Sequence, residues 1–366
     1  MALLALTLSG CDIGYIARSA CSEVHLLWNR KPIETVLAKP DLNPEVRAKL
    51  ELVLKVRRFA AYRLGLNVGG AYETVSQVDK SAVTWVLMAA EPDSLTPHTW
   101  YFPIVGSVPY KGYFDKAAAQ AAAASLEAQG FDTFIRPAIA FSSLGFFNDP
   151  LLSNLLGLNP VVLAGVIIHE LFHRTYFLAS NVMFDESAAN YVGSRGAIAF
   201  FDDLDGPNSE EAAQARSVLA SDMKFGKFLA QEESGLLALY HSGKPREEIL
   251  KRRKILFKNI QSDYVKLKPE LLGMERFDLD KIKLNNAVLI NFQLYFHNLD
   301  DFAALDALHG CNLPATIQSI ILLAKANSDD PFTAIHKAVE AVPKRPNLDC
   351  VNGPTGWRAE ISPPRP

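Results

Sequence analysis

The residues best suited to chemistry in this chain are His169, Glu170 and His173, which form the pattern H-E-x-x-H. On a helix, residues four positions apart lie one turn apart on the same face, so the two imidazoles can bind one metal ion. Glu170, about 100° around the helix from His169, can face a water on that ion instead of the ion itself. The spacing therefore predicts metal-assisted hydrolysis with Glu170 as general base.

The sequence around the motif predicts the helix that positions it. Asn159 supplies an N-cap, Pro160 suits the first helical position, and residues 161–168 are almost wholly apolar. We expect so apolar a helix to be buried. Polar side chains at its end would be costly there, and a metal ion would compensate the two histidines directly. The alternative is a buried polar pair with Glu170 solvated or in a salt bridge.

A catalytic zinc ion needs a third protein ligand and an open fourth position. The metzincin extension is excluded, because Tyr176 and Ala179 occupy its glycine and last histidine positions. We predict that Asp185 caps a second helix whose first turn carries Glu186, with Asn190 one turn further along the same face. This pattern resembles that of gluzincins, in which a glutamate on a second helix is the third ligand and a later polar residue supports it. The resemblance implies that Glu186 and the two histidines hold one Zn²⁺.

Composition bounds the class of protein. The 366 residues are 49% hydrophobic and carry a net charge of −3, which is typical of a folded chain and does not predict a nucleic-acid partner. No apolar run of eighteen residues follows the N-terminus. We divide the chain into a lipoprotein-type signal (1–11), a lobe of N-terminal helices and a small mixed sheet (12–150), a helical zinc-binding catalytic lobe (151–342) and an irregular tail (343–366).

Hydrophobic periodicity predicts an α+β fold, mostly helical and gluzincin-like, with the small mixed sheet before the H-E-x-x-H helix. Residues 65–76 are predicted to be a loop. Residues 139–146 are the best candidate for an edge strand that pairs with an extended substrate, although a loop could equally cover it. The other predicted helices are 13–38, 44–64, 116–129, 210–231, 246–266, 281–296, 301–308, 316–324 and 331–342, and the predicted strands are 82–90, 99–105 and 131–142.

The N-terminus carries a short apolar run that ends in residues 8–11, with the sequence LSGC. This segment resembles the lipobox of bacterial lipoproteins, which implies cleavage before Cys11 and its lipidation. Asp12 then resembles the signal that keeps enterobacterial lipoproteins at the inner membrane. We therefore expect a lipid-anchored protein of the bacterial cell envelope, on the periplasmic face of the inner membrane. The alternative is an ordinary apolar N-terminus.

Three further cysteines remain if Cys11 is acylated: Cys21, Cys311 and Cys350. In an oxidising periplasm Cys311 and Cys350 could pair, but an odd number leaves one thiol over. No spacing suggests a metal site. The sequence thus leaves the three as structural or unpaired.

Several segments together resemble the bacterial family known as predicted aminopeptidases, which are zinc-dependent and often lipoprotein-like. The resemblance implies peptide hydrolysis on a peptide or protein substrate, and it supports a zinc peptidase more than it establishes an aminopeptidase. The segments are 106–114 (GSVPYKGYF), 142–150 (SSLGFFNDP), 169–173 (HELFH), 184–189 (FDESAA) and 284–287 (LNNA).

Peptide hydrolysis also needs a donor to the oxyanion that develops on the carbonyl. In gluzincins a tyrosine or histidine commonly serves, and Tyr295 is the first candidate here, with Tyr110 and Tyr113 next. Each could instead be a packing residue. The G-x-M-E-N motif by which one group of gluzincin aminopeptidases recognises the α-amine is absent. An envelope endopeptidase or oligopeptidase, or a non-enzymatic zinc-containing lipoprotein, therefore remains an alternative.

Overall fold

The computed structural model describes residues 30–78, 84–138, 148–272, 278–342 and 349–351, and this part of the chain is mostly helical with small sheets. The expectation of a mostly helical α+β chain is confirmed. In chain order the helices are α1 (Ile33–Leu37), α2 (Pro44–Tyr62), α3 (Lys116–Ala128), α4 (Pro160–Thr175), α5 (Val182–Leu204), α6 (Glu210–Tyr240), α7 (Arg246–Leu267), α8 (Asn286–Phe296), α9 (Leu299–Leu308), α10 (Leu313–Ala326) and α11 (Pro331–Glu340).

The strands are β1 (Lys31–Pro32), β2 (Thr74–Ser76), β3 (Thr84–Ala90), β4 (Trp100–Phe102), β5 (Gly106–Val108), β6 (Tyr110–Tyr113), β7 (Asp132–Ala138) and β8 (Leu151–Leu152). The sheet nearest the metal motif is antiparallel, with β3 between β6 and β7. In the mixed sheet, β2 runs antiparallel to β1 and parallel to β8. The remaining pair, β4 and β5, forms a separate hairpin.

Helix α8 covers one face of the antiparallel sheet. Because side chains alternate along a strand, Val86 and Met88 share a face. They form a small apolar cluster with Ile290 and Leu294 of α8, whereas α3 packs on the other side of the sheet. Helix α8 also packs against α5. Its end therefore lies towards α4, which carries the H-E-x-x-H motif, and α5, which carries Glu186.

Local sequence explains how α4 begins and ends. The Asn159 side chain accepts a hydrogen bond from the Val162 N–H at 2.8 Å, and Pro160 occupies the first turn. The helix ends before Tyr176, which is extended and buried. The predicted cap and the proline position are thus confirmed.

Close approach of α4 and α5 depends on Gly193, which faces Gly165. A Cβ atom built on Gly193 would lie 2.7 Å from the Gly165 carbonyl oxygen and 3.1 Å from the Cβ atom of His169. Only glycine fits a crossing this tight without displacing backbone. The crossing therefore places the start of α5 directly beside the histidines of α4.

Several predicted element boundaries were wrong. The 65–76 loop contains strand β2, because its last three residues pair with β1 and β8. The predicted strand 99–105 is shorter in the structure, where only β4 is extended, and β4 pairs with β5. Residues 281–285 precede α8, since Asn285 is its N-cap. The predicted edge strand 139–146 lies outside the described residues.

A disulfide joins Cys311 to Cys350, the pairing that the sequence left open. It closes the segment that contains α10 and α11. Cys11, Cys21 and the 8–11 lipobox lie outside the described residues, as does most of the predicted tail 343–366. Among the helices that the structure describes, none is long and apolar enough to cross a membrane.

Candidate metal centre

Side chains from two consecutive helices converge at the H-E-x-x-H motif. The Nε2 atoms of His169 and His173 on α4 are 3.0 Å apart. The Oε2 atom of Glu186 on α5 lies 3.3 Å from the first and 3.5 Å from the second. The structure thus brings the three sequence-predicted ligands together, and in the described part of the chain they form a group able to hold a metal ion.

The spacing of these donors fits a tetrahedral zinc site. At zinc–ligand distances of about 2.0 to 2.1 Å, tetrahedral ligands are about 3.3 to 3.4 Å apart. The observed separations of 3.0, 3.3 and 3.5 Å lie close to that value. Two imidazoles and a carboxylate are also a donor set that zinc accepts in catalytic sites.

The electrostatics of the cluster favour a cation among the three side chains. Burial lowers the pKa of His173, but the Glu186 carboxylate raises it more, to about 9. Burial raises the pKa of Glu186, but His173 and His169 depress it well below its usual range. In the metal-free protein, a proton on His173 therefore supplies part of the positive charge that a metal ion would place beside the Glu186 carboxylate.

Glu170 is half-buried and lies on a different side of α4 from His169. Burial raises the pKa of its carboxyl group, while His169 and His173 act in the opposite direction. A raised pKa makes a carboxylate a better proton acceptor near neutral pH. The position and environment of Glu170 thus suit a general base beside the cluster.

Asp185 does not cap the second helix, contrary to the sequence-based prediction. Helix α5 begins at Val182 with Asn181 at the N-cap position. Asp185 is buried inside the first turns, and its carboxylate accepts the Leu178 N–H at 3.0 and 3.2 Å. Burial raises its pKa to about 8, against the opposing effect of His173. The residue therefore fixes the link between α4 and α5 instead of starting a helix.

The two tyrosines of strand β6 lie on opposite faces of the sheet, because they are three positions apart. The hydroxyl of Tyr110 donates to Oε1 of Glu186 at 3.5 Å, on the side facing α8. Tyr113 pairs with Trp85, and the Lys111 ammonium lies 5.7 Å from its ring centre. Tyr110 thus contacts the cluster, whereas Tyr113 faces away from it.

Tyr295, near the end of α8, lies beside the first histidine. Its ring is stacked against that of His169 with centroids 6.2 Å apart. Helix α5 holds this turn of α8, because the Asn190 amide donates to the Tyr295 carbonyl at 3.0 Å and the Ser187 hydroxyl donates to the Leu294 carbonyl at 2.9 Å. Asn190 therefore supports Tyr295, and not Glu186 as its spacing had suggested.

Arg136 also belongs to this site, although the sequence did not predict it. It is a half-buried residue of β7 that pairs with Val86 and so shares the face covered by α8. Its guanidinium donates to the Tyr295 hydroxyl at 2.8 Å and to the Asn291 Oδ1 atom at 2.6 Å. The feature that could have revealed it is a charged residue on the face of a strand that also carries the apolar Phe134 and Ala138.

A buried ion pair anchors the middle of α5. The Arg195 guanidinium donates to Asp306 Oδ2 at 2.9 Å, and neither side chain is exposed to solvent. The hydroxyls of Tyr191 and Thr316 complete the hydrogen bonds of that carboxylate at 3.2 and 2.7 Å. A buried and hydrogen-bonded ion pair of this kind fixes α5 relative to α9 and α10.

Comparison with known proteins places the site within one family. A family model described as putative aminopeptidase matches residues 14–334, which include all of the side chains at the metal centre. No curated protein and no solved structure gives a significant match.

Proposed function

This chain belongs to the family described as putative aminopeptidase, and we propose that it is a zinc-dependent peptidase that removes residues from peptide N-termini. The observation that carries the proposal is the spacing of the donor atoms of His169, His173 and Glu186. Structural zinc sites use four protein ligands, whereas catalytic sites use three and keep one position open. Three side chains form the cluster in the described part of the chain, which favours the catalytic type.

His169, His173 and Glu186 would hold the ion, and the residues around them have separate roles in this chemistry. Zinc held there would polarise the scissile carbonyl and lower the pKa of a water molecule. Glu170 would serve as the general base that accepts a proton from the attacking water and as the acid that delivers it to the leaving amine. Tyr295 donates to the developing oxyanion. We prefer it to Tyr110, whose hydroxyl already donates to Glu186.

We also propose that the protein acts at the cell envelope, anchored by lipid at Cys11 on the periplasmic face of the inner membrane. The LSGC sequence of residues 8–11 supports the anchor. The disulfide between Cys311 and Cys350 supports an oxidising compartment. Labelling of the intact protein with a fatty acid, lost on Cys11→Ser, tests the anchor.

The proposal is tested with wild type and Glu170→Gln. We expect the variant to retain one zinc ion and to lose about 10²- to 10⁴-fold in kcat, because glutamine cannot carry the proton. Glu233→Gln, which changes a partly buried glutamate of α6, is the matched control and should keep full activity. Zinc content is measured by elemental analysis after dialysis.

Substrates with free and acetylated N-termini separate the rival functions. Cleavage of the free peptide alone supports an aminopeptidase, whereas cleavage of both identifies an endopeptidase or oligopeptidase. If the wild type holds zinc but cleaves no peptide that Glu170→Gln leaves intact, the result would favour a non-enzymatic zinc protein. Loss of zinc in the wild type would remove the basis of the proposal.

A further inference from the structure

The side chain of Arg136 crosses from β7 to α8 and ends at the Tyr295 hydroxyl, which accepts its Nη2–H at 2.8 Å. Its Nε–H donates at the same time to Asn291 Oδ1 at 2.6 Å. Asn291 is buried and lies one turn before Tyr295 on the same face of α8. The two bonds fix both the position and the plane of the guanidinium group.

This contact determines the direction of the Tyr295 hydrogen bond. A guanidinium group carries donors and no acceptor, so the tyrosine oxygen accepts from Arg136. The phenolic hydrogen is then left for an acceptor elsewhere. Since the tyrosine ring is stacked on His169, the hydroxyl lies near the metal cluster.

The positive charge of Arg136 also favours hydrogen-bond donation by the Tyr295 hydroxyl. The guanidinium group places a positive charge at hydrogen-bond distance from the Tyr295 oxygen, inside a site that is largely closed to solvent. The arginine therefore makes the phenol a stronger hydrogen-bond donor than burial alone would leave it. Its carbon atom lies 5.6 Å from the centre of the tyrosine ring, which is within the range of a cation–π contact.

We propose that Arg136 is a positioning residue that makes the Tyr295 hydroxyl a donor to the oxyanion of the scissile carbonyl. The proposal rests on the peptidase function proposed above. Asn291 has the supporting role of orienting the guanidinium group. Arg136 itself acts through the tyrosine and does not touch the substrate.

A double-mutant cycle tests this dependence, with leucine 4-nitroanilide as the probe. We expect Tyr295→Phe to lower kcat by about 10²- to 10³-fold, as for loss of one oxyanion donor. Arg136→Met should lower kcat by more than about tenfold with KM within about threefold, and it should have little effect in the Tyr295→Phe background. Arg136→Lys, which keeps a charged donor, should recover part of the loss.

A second readout does not need activity. In metal-free protein labelled with ¹³C at tyrosine Cζ, the resonance that disappears in Tyr295→Phe should shift in Arg136→Met and less in Arg136→Lys. Lys116→Met removes a cation that lies over the Trp85 ring at the start of α3. It is the matched control, expected to leave both kcat and this resonance unchanged.

The outcomes separate the two proposals. Losses that multiply in the double variant, or a Tyr295 resonance that Arg136→Met does not move, overturn the assignment of Arg136 in an enzyme that remains active. A zinc-loaded wild type that does not cleave the probe or free peptides overturns the proposed function, and the positioning role with it. Thermal melting of each variant identifies any loss that is due to unfolding.

Discussion

Replacement of Gly193 by alanine should weaken metal binding although it replaces none of the three ligands. The added Cβ atom would lie 2.7 Å from the Gly165 carbonyl oxygen and 3.1 Å from the His169 Cβ atom. An ordinary carbon contact begins at about 3.4 Å, so α4 and α5 must separate by about 0.7 Å. The same displacement would lengthen the 3.3 Å spacing between His169 and Glu186 to nearly 4 Å, beyond the edge of a zinc tetrahedron.

The size of the effect follows from overpacking. Forcing a methyl group into a close contact costs about 1 to 3 kcal/mol. Without metal the two helices can move apart and relieve this strain, whereas a bound ion holds them together. We therefore expect the zinc affinity of Gly193→Ala to fall by about 5- to 150-fold, which corresponds to the same energy.

Two other helical glycines provide controls. Gly235, on α6, has open space where a Cβ atom would lie, so Gly235→Ala should bind zinc normally and gain up to about 1 kcal/mol of stability from helix propensity. Gly196 would bring its Cβ atom to 2.9 Å from the Ile168 side chain, which can move, so Gly196→Ala should be intermediate. The assay is competition with a zinc chelator, together with urea unfolding in EDTA. Equal zinc affinity of Gly193→Ala and Gly235→Ala would refute the reasoning.

Other changes to the cluster and to the disulfide have separate expected outcomes. Tyr110→Phe removes the hydroxyl that donates to Oε1 of Glu186, so zinc affinity should fall about 10- to 100-fold in chelator competition. In EDTA, protonated His173 stabilises the fold because its pKa is raised to about 9. This stability should be complete below pH 6.5, its ordinary pKa, and should be lost as the pH rises to about 9. Zinc affinity should increase over the same range, because the proton no longer competes. A flat urea midpoint in EDTA would contradict this account. Replacing Cys311 and Cys350 together by serine removes a cross-link between residues 39 positions apart. The free energy of unfolding, measured in urea, should fall by about 4 kcal/mol. An unchanged midpoint would show that the pair contributes little.

The sequence alone determined the local half of the site. The i, i+4 spacing of His169 and His173 fixes their common face on any helix, and Asn159 and Pro160 determine where that helix starts. Both features depend on residues close in the chain, which is why they could be predicted. The position of Glu186 came from a family pattern, and only its packing against α4 brought its carboxylate to the histidines.

The tertiary structure decided which residues complete the cluster. Arg136 and Tyr295 are 159 residues apart in sequence, and their contact requires β7 to pair in register with β3 and α8 to pack on that face. A shift of one residue would turn Arg136 to the opposite side of the sheet. The same alternation separated Tyr110 from Tyr113. A strand as short as β6 has too little periodicity for its sequence to show which residues face the core. The pairing of Cys311 with Cys350 depends on their distance in space. Tertiary packing therefore decided the face of each tyrosine and the disulfide.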